Sequence, residues 1–372
     1  MRYAISATSF AFVLGLGALL AQPAFAGGGG PAAPGTYMGD FNGDGRTDVL
    51  VTDSATGQVY VYITAAGIPT TANVDIAESS LLTTLPAGAA VKGVGDFNSD
   101  DHADILVETS AAGLAVLLGD ATVGAGASAA LTSASFFVGL PVGWSVSGVG
   151  DANDDGMADV LVTHTDGTVY TYITELPAGA PQASAAASGL PVKLPVGWGV
   201  STVGDLNGDG RSDFVAQGPS SGVISPLYNF ITGVGGIAVD QAASDSPGGV
   251  PDGYGCCAAG DTTPATVSSD LAIIDETGSN PGLTYVYVTN ADGVSFDAAA
   301  STNNVVLPAG WTVEGFADFN NDGIADTLAV NTDGAMIVFL NSGPGSVVDS
   351  PFLTSLPAGW ATANYAGMSA AE

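Results

Sequence analysis

The sequence predicts an all-β protein, a β-propeller of six blades with four antiparallel strands in each. Two observations lead there. A nine-residue phrase, Asp-x-Asn-x-Asp-x-x-x-Asp, begins at Asp40, Asp96, Asp151, Asp205 and Asp318. The intervals are 56, 55 and 54 residues and then 113, which is two periods with a damaged copy at Asp261 between them. A period of this length marks a repeat architecture. The second observation is that short apolar runs bounded by turn residues follow every copy, with no amphipathic helix of useful length between them.

The elements follow in chain order. Residues 1–26 read as a signal peptide: Met1-Arg2, the apolar run TSFAFVLGLGALL and a small-x-small site at Ala24-Phe25-Ala26. That run is too short to span a bilayer and has no charged flank behind it. The expectation is an exported protein, secreted or at the cell surface, with the periplasm as an alternative and no membrane insertion. Residues 27–35 are a Gly/Pro/Ala-rich linker, 36–367 the repeats and 368–372 a short tail.

The repeat is longer than its acidic phrase. In its best copy it begins with Leu140-Pro141-Val142-Gly143-Trp144, continues through the strand SVSGVG and enters the loop Asp151 to Asp159. A strand VLVTH, a turn Thr165-Asp166-Gly167 and a strand TVYTYIT follow, and an Ala/Ser-rich stretch leads to the next Leu-Pro. The strand after the loop is apolar throughout, as expected of one buried on both faces. The next strand alternates aromatics, Tyr170 and Tyr172 here and Tyr60 and Tyr62 in the first unit, which reads as packing between neighbouring sheets. Four short strands per unit suit a propeller, whose small sheets bury one another's faces. Seven blades are the alternative count, and an open β-solenoid is the rival architecture. The tail at Trp360 continues the pattern of a first strand and stops before a loop, while Gly35 to Asp40 supplies the same element for the first unit. One end is therefore expected to complete a sheet begun by the other.

These residues resemble the FG-GAP/VCBS repeat family, found in integrin α-subunit propellers and in many bacterial secreted proteins. The resemblance rests on Asp40-Phe41-Asn42-Gly43-Asp44-Gly45-Arg46-Thr47-Asp48 and its siblings and covers 36–367. It implies the propeller fold and calcium. It does not select an activity, because such propellers serve adhesion, sugar binding, lyase chemistry and scaffolding.

The loop chemistry points to calcium independently. Asp40, Asn42 and Asp44 place oxygens on alternate residues, Gly45 allows a sharp turn, the Arg46 carbonyl can face inward and Asp48 closes the shell. The same roles fall to Asp151, Asn153, Asp155, the Met157 carbonyl and Asp159. They recur at Asp205, Asn207, Asp209, Arg211 and Asp213, and at Asp318, Asn320, Asp322, Ile324 and Asp326. The second loop has Asp96, Asn98, Asp100, His102 and Asp104, with Asp101 in place of the turn glycine. A left-handed backbone is expected at Asp101, and with it a weaker site. The fifth loop, Asp261 to Asp270, has lost its central ligands and is expected to bind none. About five Ca²⁺ sites result, structural rather than catalytic.

Just before the failed loop stands an adjacent pair, Cys256-Cys257. Neighbouring Cα atoms lie about 3.8 Å apart, so a bond between them would be strained. A vicinal disulfide, two free buried thiols and a redox or intermolecular contact are all open, the first being the reading adopted here.

Charge narrows the partners. After the leader, Arg46, Lys92, Lys193 and Arg211 stand against 37 acidic residues. Nucleic acid is excluded as a partner, since phosphate neutralisation needs Lys and Arg. No nucleophile motif, zinc motif or phosphate loop occurs. His102 and His164 both read as exposed turn residues rather than catalytic bases. The expected function is a calcium-binding module for carbohydrate or protein at the cell surface, more binding protein than enzyme. A polysaccharide lyase or hydrolase and a structural surface or matrix protein are the alternatives. Trp144, Trp198, Trp311 and Trp360 recur once per unit, as packing residues or as platforms for sugar.

Overall fold

Six antiparallel sheets succeed one another along the chain, each built as a meander. The computed structural model describes residues 37–53, 56–65, 74–111, 113–122, 129–263, 268–275, 282–308, 310–331, 335–343, 345–349, 354–355 and 360–362. The expected leader, linker and tail lie outside these. Blade 2 runs Ala90–Gly95, Asp104–Glu108, Gly113–Gly119 and Leu131–Gly139. Blade 3 runs Trp144–Gly150, Asp159–His164, Thr168–Tyr172 and Gly189–Lys193, with a small hairpin of Thr174–Glu175 and Gln182–Ala183 beside it. Blade 4 runs Gly199–Gly204, Asp213–Gln217, Ile224–Phe230 and Asp245–Pro251. Blade 5 runs Tyr254–Gly260, Asp270–Asp275, Leu283–Tyr287 and Thr302–Val306. Blade 6 runs Trp311–Ala317, Asp326–Asn331 and Ala335–Asn341, its fourth strand divided between Val347–Asp349 and Thr354–Ser355.

Blade 1 shows how the ring closes. Its second, third and fourth strands are Asp48–Asp53, Gln58–Thr64 and Val74–Thr84. Its first strand comes from both ends of the chain. Met38 and Gly39 pair with Val49 and Asp48, while Trp360, Ala361 and Thr362 pair with Asp53, Thr52 and Val51. The division falls where the first strands of the other five blades carry a β-bulge, as between Val91 and Gly93 in blade 2. The expected exchange between the two ends is thus present, with both ends sharing one strand.

Continuous apolar second strands follow from this arrangement. Leu50 packs with Val91, Val94 and Ile105 of blade 2. Val49 and Val51, on the opposite face of the same strand, pack with Phe319, Leu328 and Val338 of blade 6. Each apolar cluster spans two adjacent blades, so the core is a set of interfaces around the ring. The alternating tyrosines belong to it: Tyr60 and Tyr62 stand 5.0 Å apart and Tyr170 and Tyr172 4.9 Å apart, half-buried against these clusters.

First strands must come close together, and glycine permits it. A Cβ on Gly95 would lie 2.7 Å from Ala158 Cβ, and one on Gly204 2.9 Å from Ala259 Cβ, each in the next blade. The Leu-Pro-x-Gly-Trp phrase is also structural. Its leucine amide bonds the glycine carbonyl of the turn between strands two and three, as from Leu194 to Gly167 at 2.8 Å. The Trp198 amide then closes a turn onto Pro195 at 3.1 Å, with Gly197 at φ +82°.

A second repeated phrase lies at the start of the fourth strand in blade 1 and just before it in blades 4 and 5. Asp75, Asp240 and Asp297 each precede a serine by four residues, and the hydroxyls of Ser79, Ser244 and Ser301 bond back to their carbonyls at 2.6–2.7 Å. The same hydroxyls accept the amides of Ile63, Ile231 and Val288, which ties the entry of the fourth strand to the end of the third.

Candidate metal centres in a ring of acidic loops

Each acidic loop joins the first strand of a blade to its second, so all six lie on one face. Two positions of the phrase build the fold. The ninth residue is a buried Asp whose two oxygens accept two backbone amides from different elements. Asp159 takes Ala152 at 3.0 Å and Thr174 at 2.7 Å, and Asp213 takes Leu206 at 3.0 Å and Thr232 at 2.7 Å. Asp48, Asp104 and Asp326 do the same. So does Asp270 of the damaged loop, with Thr262 and Thr289. The first residue turns its carboxylate onto the amides of its own loop. Asp151 Oδ1 accepts Asp154 at 2.7 Å and Asp155 at 3.2 Å, while Oδ2 accepts Gly156 at 2.7 Å. Its main-chain carbonyl accepts the amide of the residue just before the closing Asp of the next loop.

These carbonyl bonds form a closed ring. Ala103 donates to Asp40 at 2.7 Å, Ala158 to Asp96, Ser212 to Asp151, Ser269 to Asp205 and Ala325 to Asp261 at 2.6 Å each, and Thr47 to Asp318 at 2.8 Å. The damaged loop takes part on both sides. The residue just before the closing Asp is small in all six copies, a signal in the sequence that reading for metal ligands alone overlooks.

The loop backbone is left-handed twice. At the sixth position Gly45, Asp101, Gly156, Gly210 and Gly323 have φ between +65° and +86°, so Asp101 adopts the expected conformation. The fourth position is left-handed as well: Gly43, Ser99, Asp154, Gly208 and Asn321 have φ between +58° and +74°. Neighbouring loops meet at these points, since a Cβ on Gly45 would lie 2.5 Å from Asn321 Nδ2 and one on Gly210 2.7 Å from Asp154 Oδ1. His102 departs from the exposed turn expected of it. It is buried, its Nδ1 faces the Asp100 carbonyl at 3.1 Å, and its ring fills the space that a side chain at Gly43 would take. His164 is half-buried at the opposite end of its strand.

The third and fifth positions behave differently from the first and ninth. Asn153 Nδ2 donates to Asp155 Oδ2 at 2.8 Å, and Asn98, Asn207 and Asn320 do so to Asp100, Asp209 and Asp322 at 2.8–3.0 Å. Asp44 Oδ1 accepts the Arg46 amide at 2.9 Å, and the Arg211 guanidinium pairs with Asp209 Oδ2. These bonds stay within the loop. In the fifth copy both positions are lost while Asp261 and Asp270 keep their backbone roles, so those roles do not require the middle pair there.

The donor set fits a hard cation: two carboxylates and an amide oxygen on alternate residues, a main-chain carbonyl at Arg46, Met157, Arg211 or Ile324, and the ninth Asp. Asn42 Nδ2 and Asn98 Oδ1 are buried without a hydrogen-bond partner, at the position where an amide oxygen would ligate. Among the described residues no three acidic, His or Cys side chains are drawn together as a preformed metal cluster. The first Asp spends its oxygens on loop amides instead. The electrostatics favour a cation, because burial first and the neighbouring loop carboxylates second push Asp104, Asp159, Asp213 and Asp326 up to about 7. The amides that each accepts pull the other way without prevailing. The side chains of Cys256 and Cys257, and with them the disulfide reading, lie outside the described residues. Trp144, Trp198 and Trp311 are half-buried in the interface clusters, and the side chain of Trp360 is likewise outside.

Fold and loops together define a class, the six-bladed β-propeller with an acidic loop in every blade but one. Residues 40–107 match the family model described as an FG-GAP-like repeat, and the chain carries that repeat. No curated protein matches the chain. Similar solved structures include the Dos1 propeller, at 9% identity over 84% of this chain and 71% of that one, with a TM-score of 0.35. BBS1N in complex with ARL6DN is another, at 12% identity. A mercury-soaked crystal gives 86% and 97% coverage and a TM-score of 0.42, and a lead-soaked crystal 88% and 84% with 0.39.

Proposed function

We propose that this protein is an exported, calcium-stabilised propeller that acts as a binding module for carbohydrate or protein at the cell surface. One observation carries the calcium part. Asn and Asp at the third and fifth loop positions accompany each other in five copies and are both lost in the damaged one, where the closing Asp270 still accepts its two amides. A role beyond the fold accounts for that pattern, and oxygen donors on alternate residues of a tight turn suit Ca²⁺. When bound, the ion supplies the positive charge that offsets the crowded loop carboxylates. The chain's own residues hold the shell: Asp40, Asn42, Asp44 and Asp48 in the first loop, and their equivalents in the other four. The binding role draws support from the repeat class and the leader-like start. No helix among the described residues is long and apolar enough to cross a membrane.

Melting the protein with calcium and after chelation tests the first part, since an ion bound only by the folded state raises its stability. A fall of several degrees on chelation is expected, and an unchanged melt refutes the calcium reading. A glycan array probed in calcium and in chelator tests the second.

A further inference from the structure

In a repeat protein, the place where one copy departs from all the others is where a particular ligand can be read. Blade 3 has such a place, at the end of its strands away from the acidic loops. His164 closes the second strand, where the other blades carry Asp53, Thr109, Gly218, Asp275 and Asn331. Its Nδ1 stands 2.8 Å from Asp166 Oδ1, and Lys193 Nζ donates to Asp166 Oδ2 at 2.7 Å. Lys193 ends the fourth strand, where blades 1, 2, 4 and 5 end in Thr84, Gly139, Pro251 and Val306. The Trp144 ring lies 5.2 Å from the His164 ring. Val142 and Val196, each 96% exposed at the tips of Pro-x-Gly turns, belong to the same end of blades 3 and 4.

We infer that Trp144, His164, Asp166 and Lys193 form a binding subsite for a neutral pyranoside. This rests on the binding-module reading and gives it a substrate class and a place. The Lys193–Asp166 pair is open to solvent, with side chains 61% and 46% exposed. An ammonium has three donors, so the ion pair leaves Lys193 with capacity to spare, and Asp166 Oδ2, which accepts Lys193, carries a second lone pair while Oδ1 is taken by His164 and Thr168. Together they present a donor and an acceptor side by side, as two neighbouring ring hydroxyls of a sugar require. His164 and the amide of Thr168 hold the carboxylate in place. The half-buried indole beside them offers apolar surface for the C–H face of the ring. A neutral ligand is favoured over a uronate because the chain as a whole is strongly anionic and Asp166 offsets the one exposed ammonium of the cluster.

The test is calorimetric titration of the calcium-saturated full chain with cellotetraose, mannotetraose and a galacturonate tetramer. The variants K193M and W144A are compared with W198F, which alters the equivalent Trp of blade 4. Expected is binding of a neutral tetramer by the parent and by W198F, weakened about tenfold or more in K193M and W144A. Lys193 is exposed, so K193M stands as the decisive variant if W144A fails to fold. Binding that survives K193M with the parent affinity overturns the subsite and leaves the binding-module reading intact. Capture of the galacturonate alone, or no binding by the parent to either neutral tetramer, overturns the inference outright. The calcium reading is judged apart from this by the chelation melt.

Discussion

The amide of Thr47 donates to the carbonyl of Asp318 at 2.8 Å, and this bond joins the last acidic loop to the first. It completes a circuit of six equivalent bonds in which every loop hands its first carbonyl to the amide just before the closing Asp of the next. The acidic phrase therefore has two jobs. Its ends, the first and ninth residues, fasten blade to blade and strand to strand. Its middle, the third and fifth residues, is where the proposed calcium would bind.

That division predicts different phenotypes for neighbouring aspartates. Replacing Asp270 or Asp213 by Ala orphans two buried amides, at roughly 1–3 kcal/mol for each donor. Both variants should be strongly destabilised whether or not calcium is present, although blade 5 is expected to bind none. Asp209→Ala should lower the melting temperature in calcium and have little effect after chelation. Thermal melts of the three variants in both conditions check this. Equal losses for Asp209→Ala with and without calcium would contradict the division.

Much of the architecture was legible because the phrase works as a ruler: six units, their strand order and the exchange of chain ends all follow from its spacing. The site was legible only in part. Reading Asp48 or Asp159 for metal chemistry hides their backbone brackets, because a sequence does not reveal which amides a carboxylate will meet. The burial of His102 escaped for a related reason, since it depends on Gly43 in the preceding blade, 59 positions earlier in the chain. The Asp-x-Ala-x-Ser phrase at Asp75, Asp240 and Asp297 was visible in the sequence, but its use as a tie depends on long-range bonds to the end of the third strand.

The pH dependence of the decalcified protein should run opposite to that of most proteins. Asp104, Asp159, Asp213 and Asp326 titrate near 7 when folded, against 3.8 as the ordinary value. Between those limits the folded state holds more protons than the unfolded one, so stability falls as pH rises from about 4 to about 7. Calcium requires the ionised form and should reverse the order, with loaded protein gaining stability across the same range. Melts at pH 5 and pH 7.5, decalcified and calcium-loaded, measure both slopes. A decalcified protein that is more stable at pH 7.5 would contradict the burial argument.

Ring closure by shared strands gives a third expectation. Deleting residues 360–372 removes the strand Trp360–Thr362, so Val51, Thr52 and Asp53 lose their partner on the first-strand side, while Val51 and Thr52 stay paired with Tyr60 and Val59. Blade 1 then keeps only the Met38–Gly39 piece of its first strand. The truncated protein should melt several degrees lower. Hydrogen exchange should show Val51 to Asp53 losing protection first, while the second strand of blade 4, Asp213–Gln217, stays protected. Uniform loss of protection in all blades would mean that closure acts through the whole ring.

The close approach of first strands is tested most simply at Gly95. A Cβ there would lie 2.7 Å from Ala158 Cβ and 3.0 Å from Val149 Cγ1, both in blade 3. Its φ is not left-handed, so Gly95→Ala strains packing rather than the backbone. Separating two packed strands to admit one methyl group costs about 1–3 kcal/mol. Gly199→Ala is the matched control, because a Cβ on that first-strand glycine meets nothing within 4 Å. There the substitution should be neutral or stabilise by up to about 1 kcal/mol, through reduced freedom of the unfolded chain. Chemical denaturation of both variants separates the two effects, and a neutral Gly95→Ala would show that the blades can part without cost.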